Sequence, residues 1–321
     1  MTDERQLSLG EIVAKLPIVR RAKQTNRTSP VHRRLVEPIP TEHDDLAFQH
    51  TVLCQTGLPY RDPGDDVRIW QRDQGAVSLL VEAGMARNPR TGEWVRLGLP
   101  WGTKPRLILA YLNAEALRSD SPVIEVENSL SAFVRRIRGF QHGREIRVFK
   151  DQLSRLSVAL VRLAMTRGAR AFQINTQVVT AFELWPELDD RQRVLWPSRI
   201  QLSGDYFNSL REHAVPLNEA DLAALAHSAV ALDLYSWLAQ RLHRVIPNRP
   251  AFVSWVALKQ QFGPDYGRMD NFKRVFRAAL TQVLTRYKTA RIELDGHGVR
   301  LHNSPPPVTK RLVMLPQKPR G

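Results

Sequence analysis

Residues 251–301 read AFVSWVALKQQFGPDYGRMDNFKRVFRAALTQVLTRYKTARIELDGHGVRL. Phe252 to Ser254 reads as a short strand and Trp255 to Phe262 as a helix, which Gly263 and Pro264 end. From about Met269 to Tyr287, Phe272, Val275, Phe276, Ala279, Leu280 and Val283 recur at helical spacing, so a long helix with one buried face is predicted. Arg291 to Leu294 and Val299 to Leu301 alternate around Asp295, Gly296, His297 and Gly298, which is the turn chemistry of a hairpin. Upstream, a helix from Asn218, a natural N-cap with Asp221 three residues on, runs to about Arg244 before Pro247 and Pro250. Helix, turn, helix and hairpin compose a winged helix, in which the third helix enters a major groove and the hairpin is the wing.

Working outward, the same plan recurs earlier in the chain. Lys104 to Leu117 reads as a helix, Val123 to Glu127 as a strand and Leu130 to Arg138 as a second helix. A long helix over about Ile146 to Met165 follows, then strands over Arg170 to Trp185 and Val194 to Leu202 and a connector helix at Asp205 to Leu210. The fold class is α+β, two tandem winged-helix domains at 46–213, with an N-terminal extension, and at 214–303. Residues 1–45, with Pro30, Pro38 and Pro40 and no periodicity, read as a disordered arm, and 304–321 as a flexible basic tail. The duplication is architectural, with no residue-level repeat.

The chain of 321 residues has a formal net charge of +15, which implies a polyanionic partner, and a 43% hydrophobic content sufficient for real cores. Its charges are spread through periodic segments, its longest apolar runs fall short of a bilayer span, and Asp3 and Glu4 stand where a secretory signal would be positive. The expectation is a cytoplasmic protein with no membrane partner, and the single Cys54 agrees with a reducing compartment.

On the long helix of the second copy, Arg274, Arg277 and Thr281 lie opposite the apolar face with Thr285, Lys273 lies at its edge and Arg268 near its start. These donors suit phosphates and guanine edges. Arg291 and Arg300 read as the outward face of the wing, with Ile292, Leu294, Val299 and Leu301 turned to the domain. In the first copy Arg144, Arg147, Lys150 and Arg155 lie off the stripe of Ile146, Phe149, Leu153, Leu156, Leu160, Leu163 and Ala164. Arg162 and Arg167 read as complements of the helix C-terminal dipole, and Arg135, Arg136 and Arg138 either support the interface or are solvated. Trp185, Trp196, Trp237 and Trp255 sit in apolar contexts and read as core.

No catalytic, cofactor or metal site is legible. Gly98 to Lys104 lacks the glycine spacing of a phosphate loop, His142, His213, His227 and His243 lack ligand spacing, and Asp189 with Asp190 reads as a solvated turn.

Several runs carry a resemblance: Gly98-Leu-Pro-Trp-Gly-Thr-Lys-Pro-Arg-Leu-Ile-Leu109, Ser154-Arg-Leu-Ser157 and Arg191-Gln-Arg-Val-Leu-Trp-Pro197. With them go His213-Ala-Val-Pro-Leu217, Leu225-Ala-His-Ser-Ala229, Tyr235-Ser-Trp-Leu-Ala-Gln-Arg-Leu-His-Arg244 and Ser304-Pro-Pro-Pro-Val308. Over roughly residues 55 to 308 the chain resembles the plasmid-encoded RepA replication initiators, similar in plan to TrfA and the other iteron-binding, tandem winged-helix Rep proteins. The resemblance implies a protein that binds repeated double-stranded DNA sites (iterons) at a plasmid origin, helps to open the adjacent duplex and recruits the host initiator ATPase and replicative helicase. It implies no ATPase activity of its own, a homodimer through the first domain that represses its own gene, and a part in plasmid copy control. A winged-helix transcriptional regulator and a rolling-circle nicking enzyme are the alternative readings, distinguished by an inverted-repeat operator and by metal-dependent relaxation of supercoiled plasmid.

Overall fold

The computed structural model describes residues 46–88, 91–125, 143–167, 170–181 and 199–308, all within the unit Pro40–Gly321. The arm at 1–45, the helix expected over 130–138, His142, Trp185, the turn at Asp189 and Asp190, Trp196 and the tail beyond residue 308 lie outside the described residues. The chain is mixed α and β, and among the described residues no helix is long and apolar enough to cross a membrane.

Residues 46–102, which the sequence reading left without elements, supply strand β1 (Leu46–His50), helix α1 (Thr51–Gln55), a hairpin of β2 (Ile69–Gln74) and β3 (Val77–Glu82), and a ribbon of β4 (Met85–Arg87) and β5 (Trp94–Arg96). Helix α2 (Thr103–Ser119) follows, then β6 (Val123–Glu125) and helix α3 (Gly143–Val158).

Here the reading from periodicity is corrected. The helix expected over 146–165 stops at Val158, and Leu160–Arg167 is strand β7, followed by β8 (Arg170–Gln177), β9 (Val179–Ala181) and β10 (Arg199–Leu202). The physical reason is a distant partner: β7 pairs antiparallel with β3 along Val77 to Glu82 and with β8 on its other side, in a four-stranded sheet ordered β2-β3-β7-β8. Ala159, Val161 and Leu163 are buried at the spacing of two that marks a strand, whereas of Leu160, Leu163 and Ala164, which the helical stripe placed inward, only Leu163 is buried. Arg155 and Arg162 therefore share no face: one is on a helix, the other on a strand beside Glu82.

Strand β10 joins β6 and β9 in a second sheet, and helix α4 (Gly204–His213) is capped by Ser203, whose hydroxyl accepts the Tyr206 N–H. Strand β11 (Ala214–Asn218) returns to pair with β1. Instead of one helix over 218–244, two form, α5 (Glu219–Leu225) and α6 (Ala229–Arg241), because Asn218 and Ser228 each supply an N-cap. The break places the Tyr235 hydroxyl to donate to Asp221 Oδ2 at 2.9 Å while accepting the Asn218 N–H.

Strand β12 (Ala251–Ser254), helix α7 (Trp255–Phe262), helix α8 (Met269–Arg286) and strands β13 (Ile292–Leu294) and β14 (Gly298–Leu301) close the chain in a sheet ordered β12-β14-β13. Asp295 Oδ1 accepts the N–H groups of His297 and Gly298, which fixes the hairpin turn and lowers the pKa of its carboxyl. The tail begins later than expected. Ser304 is buried, its N–H donating to Leu242 O and its hydroxyl accepting the Arg291 N–H, and Pro305 O accepts the Tyr287 hydroxyl.

One apolar core runs through both halves. At their junction Arg106 of α2 and Asp233 of α6 form a buried bidentate pair at 2.7 and 2.8 Å. The remaining guanidinium hydrogens donate to Leu58 O, Pro59 O and Gly102 O. All five donors are thus used, the condition under which a charge can be buried.

Removing one partner strands the other, so Arg106→Met is expected to cost ~3 to 5 kcal/mol in urea unfolding, and Arg106→Met with Asp233→Leu should recover more than half of that. A double variant no more stable than the single would refute the pairing. His50 supplies a pH test. It is 1% exposed, its Nδ1 accepts the Val52 N–H, and its Nε2–H donates to Ser209 Oγ at 3.0 Å. Burial, helped by His213, depresses its pKa to about 3. The unfolded chain thus takes up the proton first, and this contribution to stability is complete above about pH 6.5 and declines by ~1.4 kcal/mol per pH unit below it. His50→Gln should flatten the fall in unfolding free energy between pH 7.5 and 5.5 relative to wild type, and parallel curves would exclude His50 as the source.

Candidate nucleic-acid interface

Helix α8 buries Phe272, Phe276, Ala279, Leu280 and Val283, and its first two aromatics meet Trp255 edge to face, with ring centres 6.5 and 5.6 Å away. Fixing that face inward forces Arg274, Arg277, Ala278, Thr281 and Thr285 outward, and all are exposed. The stripe carries one acid, Asp270 at its start, 3.7 Å from Arg268, with both side chains solvated.

Trp255 organises the cations at one end of this stripe. It is 3% exposed, as the sequence predicted for a core position, and its indole N–H donates to Asp295 O in the hairpin turn. The Lys273 ammonium lies 5.3 Å and the Arg277 guanidinium 5.4 Å from its ring centre, within cation–π reach. Lys273 also donates to Gly296 O at 3.5 Å, so the first turns of α8 and the tip of the hairpin adjoin. Thr281 and Thr285 turn their hydroxyls back to the helix, donating to Arg277 O and Gln282 O.

On the hairpin, Arg291 and Arg300 are exposed, as expected, but at opposite ends. Arg291 donates to Asn303 O at the base; Arg300 lies 3.4 Å from Asp295 Oδ2 near the turn. Arg300 stands opposite Glu293 in register, yet Glu293 is placed against His302. Leu294 is corrected: it is 44% exposed, because it lies on β13, the edge strand of its sheet, whereas its partner Val299 lies on the central strand β14 and is buried. Sequence reasoning also missed Phe252 and Val256, 50% and 60% exposed beside this surface. The signal was available, since alternation along β12 puts Phe252 on the face of its cross-strand partner Arg300.

The first half assembles differently. Arg147 is exposed and Lys150 half-buried on α3, while Arg144 lies in the same helix with its side chain outside the description. Arg155 turns inward, against the expectation that it points away from the core. It packs under Gly98, its Nε donating to Asp151 and its Nη1 to Leu99 O. It is an internal clamp, separated from Arg147 and Lys150.

Residues 99–256 match the family model described as "Plasmid encoded RepA protein". A search of the curated proteins found no match. Among solved structures, that of selenomethionine derivatives of domains 2 and 3 of RctB aligns over 79% of this chain and 98% of its own, with 12% identity and a TM-score of 0.47. A second structure of RctB domains 2–3 aligns over 78% and 96%, with 11% identity and a TM-score of 0.47. Through residues 99–256, just under half of its length, the chain is similar to the plasmid-encoded RepA proteins.

Proposed function

We propose that this protein initiates plasmid replication by binding repeated double-stranded DNA sites at the origin through two winged-helix units, without performing chemistry on the DNA. The observation that carries the reading is the outward stripe of α8, where Arg274 and Arg277 stand beside the hairpin turn on a helix whose opposite face buries Phe272, Phe276, Ala279, Leu280 and Val283. In this reading α8 enters a major groove, Arg268, Lys273 and Thr281 support it, and the β13–β14 hairpin follows the flanking backbone. The helix α3, with Arg144, Arg147 and Lys150, addresses a neighbouring groove, and two joined readers on a direct repeat bind more tightly than either alone. Strain in the adjoining duplex then lowers the cost of opening it, and the host initiator ATPase and replicative helicase are recruited there. Dimers formed through the first half would hold the protein in a repressing state.

Footprinting across the native origin tests the reading: protection of a tandem array supports it, and protection of a lone inverted repeat favours a transcriptional regulator. Arg274→Ala or Arg277→Ala should cost ~1 to 3 kcal/mol on the specific site and relax specificity at one position. Normal binding by both would remove α8 from the interface. The Arg291→Ala, Arg300→Ala variant should weaken origin and scrambled duplexes by similar factors and lower the salt slope by roughly 0.9 for each phosphate it no longer neutralises. In anisotropy titrations at several salt concentrations, an unchanged slope would exclude the hairpin.

A further inference from the structure

The β4–β5 ribbon belongs to neither reader, yet it carries its own exposed surface. Met85 pairs with Arg96 and Arg87 with Trp94, so these four side chains share one face, while Ala86 and Val95 share the other. Trp94 is 66% exposed, Met85 45% and Val95 43%, and both Arg87 and Arg96 are exposed. The sequence from 85 to 96 holds Arg87, Arg90 and Arg96 against the single acid Glu93.

The ribbon's root is built firmly. The Arg68 guanidinium donates to Leu97 O at 2.7 Å, Ala83 O at 2.7 Å and Gly84 O at 3.1 Å, tying both strands at their base. Gly84 lies against the Val158 carbonyl at the end of α3, where a Cβ would find no room. At the far end the turn closes through Asn88 N–H to Glu93 O, Gly92 N–H to Asn88 O, and Arg87 Nε to Gly92 O. A two-stranded ribbon on its own is marginal in water. This one is pinned to the helix of the first reader and presents indole, thioether and guanidinium groups outward.

We propose that the ribbon is a second DNA-binding element, a sequence-tolerant clamp that enters the minor groove of duplex DNA next to the site held by α3. It rests on the duplex-binding reading above. The arginines take the phosphates that line the groove, whose narrow form concentrates negative potential, and Met85 and Trp94 press on the sugars and base step to bend the duplex. The shared face carries no amide or carboxylate to discriminate base edges, so it senses groove width and deformability more than sequence.

The experiment uses the full chain, an origin duplex and a scrambled duplex of equal length, with anisotropy at several salt concentrations and end-to-end fluorescence transfer for bending. Arg87→Ala with Arg96→Ala should weaken both duplexes roughly tenfold, lower the salt slope by about 1.8 and leave the preference for origin unchanged. Trp94→Ala should reduce bending while preserving that preference. A netropsin-type minor-groove ligand should weaken wild-type binding and affect the double arginine variant less. Unaltered slope and bend in these variants, or losses confined to single-stranded DNA, would overturn the clamp. Wild-type protein that binds neither duplex would overturn the duplex-binding reading and the clamp with it, whereas Arg274→Ala should lose preference and keep the ribbon's increment.

Discussion

The Arg106 guanidinium, out of water and bonded through every hydrogen it has, is the constraint around which the two halves are arranged. A buried carboxylate or guanidinium alone would cost several kcal/mol, so α2 and α6 must meet at one register to bring Arg106 to Asp233. The same register also presents the carbonyls of Leu58, Pro59 and Gly102, which pins the loop before α2. Geometry at this point fixes how the two basic surfaces relate, since α3 packs on α2 and α8 packs on α6.

This junction also explains where the family likeness sits. The runs that carry it are largely internal: Gly98 rests on Arg155 of the Ser154–Ser157 run, the Trp101 N–H donates to Gln152, and Arg106 reaches Asp233, two residues before the Tyr235–Arg244 run. Words of this kind recognise a scaffold. The exposed cations on α8 and the hairpin fall mostly outside them.

What was legible from sequence followed the range of the interactions involved. In 251–301 the helices, their caps and the hairpin turn are set by neighbours within a few residues, and the elements formed within one or two residues of expectation. In the first half, β7 pairs with β3 from some eighty residues away as well as with the adjacent β8, and its short two-residue period was masked by the apolar stripe that runs on from α3. The outward face of α8 followed from its apolar face by simple complement, so Arg274 and Arg277 could be named. Arg155 could not be placed by the same logic, because Leu99 O, distant in the chain, draws it inward, and only its pairing with Asp151 one helical turn earlier follows from helical spacing.

The antiparallel pairing of β1 with β11 has a consequence for how the protein is made. Leu46–His50 leaves the ribosome before its hydrogen-bonding partner Ala214–Asn218 has been synthesised. At ordinary rates of protein synthesis the delay is roughly 10 to 30 seconds. Throughout it the core side chains of Ala47, Val52 and Leu53 have only part of their native cover, since Leu217 and the α6 surface arrive only with the second half. The nascent chain therefore cannot finish its first half before starting its second, and a truncated product ending near residue 213 would display an open strand edge, the ordinary substrate of chaperones.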